Sequence, residues 1–281
     1  MATVEPMEIG LVVWAEKTAE ETLKYVSQFG LRAIQLGILP SVDCIAAVKE
    51  WKAALSDSPF LLTSAVCCYT GEDYSSYQQV YETVGFTNVT YRAERIARTI
   101  EIANFAHEFG ISAVSCHIGF IPADTQDPLY AELIEVAQTL CDAMAKNGQN
   151  FVLETGHESA AVLLKFFADV NRNNLKINFD PANMILYGSG DPIEALREVQ
   201  QHVISVHCKD GRSPIPGTGK LGNECTLGEG EVNFPDFIRQ LKAMSYVGPL
   251  TIEREEPNLD QRIADIHTAI ERLQGWKALT L

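Results

Sequence analysis

The feature that most constrains this chain is an alternation carried along its whole length. Eight short apolar runs occupy residues 8–14, 33–36, 60–67, 112–118, 150–154, 175–180, 203–209 and 249–253. Each is followed by a helical pattern, at residues 19–29, 42–55, 92–109, 128–146, 159–172, 191–201, 234–244 and 259–274. In residues 92–109, Ala93, Ile96, Ala97, Ile100 and Ala103 recur at the spacing of one helix face. The apolar runs have the length and composition of strands buried on both faces of a parallel sheet. Gly30, Gly110 and Gly148 stand where three of the helices should end. Eight β/α units in 281 residues predict an α/β fold of the (β/α)8 TIM barrel kind, with residues 1–281 as a single domain. The competing arrangement, a doubly wound open sheet, usually carries a glycine fingerprint after its first strand. Val13-Trp14-Ala15-Glu16-Lys17 has none.

Composition narrows the partners. Hydrophobic residues at 46% are too many for a disordered chain. Lys and Arg number 22 against 37 Asp and Glu, a net charge of −15. Such a chain repels polyanions, which excludes nucleic acid and an anionic membrane surface. No apolar run approaches the roughly 18 residues of a membrane span. The opening residues 1–8 lack the basic region of a secretory leader, and Ile9 to Ala15 reads as a strand. The seven cysteines form no CxxC pair, so a disulfide framework is disfavoured and a reducing, cytoplasmic setting is expected. Without a leader, the sequon Asn88-Val89-Thr90 is set aside.

Barrels of this kind place their chemistry at the C-terminal ends of the strands. Four successive runs end in metal-ligand residue types. Phe151-Val152-Leu153-Glu154 and Ile177-Asn178-Phe179-Asp180 end in carboxylates. Val203-Ile204-Ser205-Val206-His207 ends in an imidazole, and Leu250-Thr251-Ile252-Glu253 in a third carboxylate. The first two intervals, 26 and 27 residues, match one β/α unit. The third, 46 residues, requires a long insertion after the seventh strand. One strand-final carboxylate can simply cap a helix, but four in succession point to a shared divalent ion. Three carboxylates and one imidazole form a hard, oxygen-rich set. It suits one Mn2+ best, with Mg2+, Co2+, Fe2+ or Zn2+ as alternatives.

At these residues the sequence resembles the xylose isomerase-like barrel superfamily, in its sugar phosphate isomerase/epimerase branch. The motifs are Leu153-Glu154-Thr155-Gly156, Phe179-Asp180-Pro181-Ala182-Asn183, Val206-His207-Cys208-Lys209-Asp210, Gly228 to Phe234, and Thr251-Ile252-Glu253-Arg254-Glu255. They follow in family order along nearly the whole chain. The resemblance implies a metal site of Glu154, Asp180, His207 and Glu253, with Glu154 and Glu253 also the catalytic acid/base pair. It implies that a substrate carbonyl and a neighbouring hydroxyl meet the metal, that one glutamate removes the adjacent proton, and that the enediolate is stabilised by the cation. Reprotonation on the opposite face epimerises; reprotonation at the other carbon isomerises. Epimerases of this group often carry a histidine three residues after the metal-binding Asp; this chain departs from them with Asn183. The basic residue expected to meet substrate is Lys209 or Arg212. The endonuclease IV-type members use three zinc ions and extra histidines. This chain has six histidines in all, and Cys67-Cys68-Tyr69 where the first is due.

The remaining candidates are weaker. His117 ends the fourth run and is expected to bind substrate, as is Trp14 by forming an apolar wall. Gln35 could touch a sugar hydroxyl, and His157 sits at the pocket edge or on the loop surface. Cys208, between His207 and Lys209, should point away from the site by strand alternation. The tyrosine-rich connection, residues 69–91, reads as a lid or a protomer interface. The glycines of residues 211–230 could suggest a phosphate cradle, but Glu224 and Glu229 lie among them, so a non-phosphorylated sugar is favoured. The expected function is that of a metal-dependent sugar isomerase or epimerase acting on a ketose or related polyol. The expected partner is a small-molecule sugar, in a homo-oligomer. A keto-polyol dehydratase with the same metal, and a non-catalytic sugar-binding barrel, are the rivals.

Overall fold

The fold begins with good helix starts. Thr18 and Glu21 form a reciprocal capping box at α1 (Ala19–Ser27). Asp43 caps α2 (Cys44–Leu55), and Asp127 with Pro128 opens α5 (Pro128–Ala145). Asn88 of the sequon caps α4 (Val89–His107), so this helix starts three residues before its apolar pattern does. The computed structural model describes residues 5–279. Residues 1–4, half of the stretch read for a secretory leader, and residues 280–281 lie outside them.

Eight parallel strands close into a barrel. In chain order they begin with β1 (Ile9–Trp14), β2 (Ala33–Ile38), β3 (Leu61–Cys67), β4 (Ala113–Cys116), β5 (Asn150–Glu154), β6 (Leu175–Phe179) and β7 (Val203–Cys208). A two-stranded hairpin, β8 (Asp210–Arg212) and β9 (Asn223–Cys225), fills the long connection after β7. The last barrel strand, β10 (Leu250–Ile252), pairs with both β7 and β1. The eight strand positions read from the sequence are all present.

The two faces of these strands differ. Leu11, Val13, Ile34, Leu36, Ile38, Phe151, Leu153, Ile177, Phe179, Val206, Cys208, Leu250 and Ile252 belong to the main apolar core. Many of the alternating positions are buried and polar, namely Gln35, Ser64, Ser115, Glu154, Asn178, Ser205, His207 and Thr251, with Val12, Val66 and Val152 among them. Both faces are buried, as expected, but the interior of the barrel is paved with hydrogen-bonding groups. Cys208 falls on the apolar face, as alternation predicts.

Three elements have no counterpart in the sequence reading. The first is α3 (Tyr77–Thr83), within the tyrosine-rich connection. The second is α7 (Pro181–Tyr187), which precedes α8 (Pro192–Val199), so the sixth unit has two helices. Pro181 to Met184 are all buried, and an evenly apolar helix shows no periodicity to read. The third is the hairpin. Helices α6 (Ala160–Val170), α9 (Phe234–Ala243) and α10 (Leu259–Ala278) complete the ring. Among the described residues no helix is long and apolar enough to cross a membrane.

Candidate metal centre

Glu154, Asp180, His207 and Glu253 converge at the C-terminal mouth of the barrel. Each offers one ligand atom, and the four atoms lie within 4.8 Å of one another. The Nδ1 of His207 stands 3.2 Å from Glu154 Oε1, 3.1 Å from Glu253 Oε2 and 3.5 Å from Asp180 Oδ2. Adjacent ligands of an octahedral ion with bonds of about 2.1 Å stand about 3 Å apart, and opposite ones about 4.2 Å. The four atoms therefore need move only a few tenths of an ångström to enclose one ion. Two of them, His207 Nδ1 and Asp180 Oδ2, are buried without a hydrogen-bond partner. Buried polar groups of native proteins are paired, so two orphans facing each other fit a cation between them.

Each ligand is fixed by neighbours. Asp180 ends β6 and caps α7: Oδ1 accepts from the amides of Ala182 and Asn183, which leaves Oδ2 free. The Thr155 hydroxyl brackets Asp180 by bonding both its N–H and its carbonyl. His207 Nε2 lies 2.9 Å from Gln35 Oε1 and 3.0 Å from the Asn178 amide. A carbonyl oxygen can only accept, so against Gln35 Oε1 Nε2 carries a hydrogen, and Nδ1 is the nitrogen that faces the carboxylates. Turning the Asn178 amide over would bring its own orphaned Oδ1 onto the same N–H. Gln35 therefore meets a candidate ligand from across the barrel with its oxygen, while its own Nε2 has no hydrogen-bond partner.

Electrostatics follow from burial. Burial raises the Asp180 carboxyl above its ordinary range. Burial also works to raise Glu253, but Lys209 and His207 beside it hold it well below that range. Glu154 is lowered as well, because His117 and His207 outweigh burial. Burial disfavours a charge on His207, yet the Glu253 and Glu154 carboxylates push its pKa well above the usual imidazole value. Three buried carboxylates against one imidazole leave negative charge where a cation belongs.

The other candidates are placed as follows. Asn183 donates to Glu154 Oε1 and to the Thr155 carbonyl, both at 3.1 Å. His117, half-buried just beyond β4, holds its Nε2 3.5 Å from Glu154 Oε1. Lys209 is buried, with its ammonium 3.2 Å from Glu253 Oε2 and 3.0 Å from Glu255 Oε1. Arg212 is exposed on the hairpin and donates to the Glu229 carbonyl. Trp14 ends β1, half-buried, and its ring lies over Gly37 so closely that a Cβ there would fall 1.9 Å from Trp14 Cε3. His157 bonds the Tyr77 hydroxyl at 2.6 Å and stacks on Phe120, which ties it to α3.

The tyrosine-rich connection divides. Tyr69 is buried on Thr99, while Val80 and Val84 of the α3 region form a small satellite core with Phe120, flanked by Tyr77, Tyr187 and Leu221. Val80, Val84, Phe120 and Tyr187, with His117, Glu154 and His157, line a small cavity beside the ligand cluster. The glycine-rich stretch wraps a carboxylate of its own. Asp210 accepts from the amides of Gly211, Gly228, Gly230 and Val232. A Cβ at Gly230 would fall 2.1 Å from Asp210 Oδ1, so glycine is required there. Asn178, Asp210 and Glu255 were missed as site-building residues. Alternation from Asp180 and His207 could have flagged Asn178; Asp210 and Glu255 act across loops, where no period operates.

Comparison with known proteins follows the geometry. A family model described as xylose isomerase-like TIM barrel matches residues 23–276. The chain belongs to that family. It is 38% identical to a xylose isomerase domain protein from Planctomyces limnophilus, covering 97% of this chain and 98% of that one, with a TM-score of 0.91. A D-tagatose 3-epimerase-like protein shares the fold at 18% identity, TM-score 0.70, covering 96% and 99% of the two chains. The probable 3-DHS dehydratase AsbF from Bacillus anthracis shares it at 15%, TM-score 0.67, covering 93% and 98%. An uncharacterized protein of Methanocaldococcus jannaschii is 27% identical over 164 residues, and the match spans about half of each chain.

Proposed function

We propose that this chain is a divalent-metal-dependent isomerase or epimerase of a neutral ketose or related polyol. The observation that carries the reading is the pair of buried, unpartnered ligand atoms, His207 Nδ1 and Asp180 Oδ2, facing Glu154 and Glu253. When bound, the ion, Mn2+ first among the candidates, polarises a substrate carbonyl and stabilises developing negative charge on oxygen.

The protein's own residues do the rest. Glu154 and Glu253 come from β5 and β10, with β6 and β7 between them, so they reach the substrate from two sides. One removes the proton next to the carbonyl to give an enediolate, and the other returns a proton to the opposite face, which inverts that carbon. Asn183 and Lys209 steady the two glutamates. His117, with Trp14 at the rim, offers the substrate a hydrogen bond and an apolar wall. A neutral substrate is favoured because the amides able to cradle a phosphate are occupied by Asp210, and Lys209 is occupied by two carboxylates.

The test is solvent exchange. Metal-loaded protein in D2O, incubated with a panel of ketoses and inososes and followed by NMR, should place deuterium at one carbon next to the carbonyl. Glu154→Gln and Glu253→Gln should abolish it. Loss of water instead of exchange would identify a dehydratase, and no change in any compound with metal bound would overturn the catalytic reading.

A further inference from the structure

Glu253 and Glu154 are held alike in one respect. Each turns one oxygen toward His207 Nδ1, and that same oxygen accepts a hydrogen bond from a further side chain. For Glu154 Oε1 the donor is the neutral Asn183 amide, 3.1 Å away. For Glu253 Oε2 it is the Lys209 ammonium, 3.2 Å away. Lys209 is buried, and Glu255, from the loop after β10, accepts from the same ammonium at 3.0 Å. An ammonium between two carboxylates is a directional clamp, since its donors sit at fixed angles; breaking the Glu253 bond would strand two buried charges, while the exposed Glu255 anchors the lysine from the solvent side.

We propose that Lys209 is a positioning residue that acts through Glu253: anchored by Glu255, it commits one Glu253 oxygen to the metal side of the cluster and leaves the other for the substrate. The proposal rests on the reading of the cluster as a metal-assisted proton-transfer site, and it replaces the expectation that Lys209 grips the substrate itself. A carboxylate free to rotate would offer both oxygens to the ion and present none at a defined angle to a C–H bond. Positioning of this kind contributes to turnover more than to substrate affinity.

A double-mutant cycle tests it, with Lys209→Met, Glu253→Gln and the pair made in the full-length protein. On the substrate found by solvent exchange, K209M should lower kcat about 100-fold with KM within about twofold, and Lys209→Arg should recover about tenfold of that loss. Mn2+ titration of chelator-stripped protein gives a second readout that needs no substrate. K209M should shift Mn2+ affinity at least about fivefold with Glu at position 253, and less than about twofold with Gln there. Equal shifts in both backgrounds, an effect confined to KM, or an unaltered kcat would overturn the proposal. If no compound is turned over, the proton-transfer reading fails while the Mn2+ cycle still decides the role of Lys209. Should K209M not fold, Glu255→Gln keeps the lysine and should lower kcat about tenfold; an unchanged kcat there overturns the proposal.

Discussion

Gln35 and His207 meet across the barrel, with Oε1 of the one 2.9 Å from Nε2 of the other. Strand β2 thereby braces the outer nitrogen of a residue on β7. Outer partners of metal-binding histidines typically account for 10- to 100-fold of metal affinity. Gln35→Leu removes the acceptor from a buried position. Its Mn2+ affinity should fall about tenfold or more by calorimetry, with the circular dichroism of the folded barrel retained. Unaltered affinity would mean that Asn178 alone fixes the tautomer.

Asp180 divides its two oxygens between a helix cap and the cluster, and the two duties are separable. Asparagine caps helices about as well as aspartate, whereas alanine costs about 1 kcal/mol. Asp180→Asn should lose Mn2+ binding by about 100-fold, yet melt no lower than wild type when both are metal-free. Asp180→Ala should lose the metal and also melt lower, by about 3 °C. Equal melting of the two variants would show that the Oδ1 bonds to Ala182 and Asn183 contribute no stability.

Arg95 secures the segment that carries α3. It is fully buried on α4 and donates to the carbonyls of Thr70 at 2.9 Å, Thr83 at 2.6 Å and Gly85, with its guanidinium between the Tyr69 and Tyr91 rings. Arg95→Met should strip these three carbonyls of a charged donor and cost about 3 kcal/mol locally. Hydrogen exchange should then accelerate in residues 70–87 while the β5 and β6 amides keep their protection. Uniform acceleration through the barrel would show that the segment does not open separately.

Glu224, on β9, is packed against Arg254 at 2.9 Å, and burial pushes its carboxyl up to about 7 even against the pull of Lys209 and Arg254. A carboxyl raised in the fold favours folding in its protonated form. That contribution is complete below its ordinary range near 4.5 and is lost as pH rises through about 7. Between pH 5 and pH 8 wild type should therefore lose about 3 °C more in Tm than Glu224→Gln, which cannot titrate. Parallel Tm curves would contradict this.

Much of the centre was legible because a barrel strand is a ruler. Residues that end successive apolar runs share one rim, so Glu154, Asp180, His207 and Glu253 could be grouped by counting. Asn183 could be placed near them through the resemblance, since it stands three residues after Asp180 where epimerases of the group often carry a histidine; the helix α7 that holds it was not legible. Gln35 was found at its strand end, but its contact with His207 was not, since that partner is 172 residues away. Lys209 was assigned to the substrate because Glu255 and Glu253 lie on a different strand end, and no local pattern brings the three together.

The sequence by itself determined the eightfold alternation and the rim that Glu154, Asp180, His207 and Glu253 share, because these depend on periods of 2 and 3.6 residues and on strand ends. It did not determine which atoms of those residues are free. The tertiary structure alone decided that Asp180 keeps Oδ2 by using Oδ1 on a helix, that His207 keeps Nδ1 because Gln35 holds Nε2, and that Asp210 fills the glycine-rich loop. Hydrogen bonds between groups distant in the chain have no periodicity, and they alone choose among the oxygens and nitrogens that a residue name leaves open.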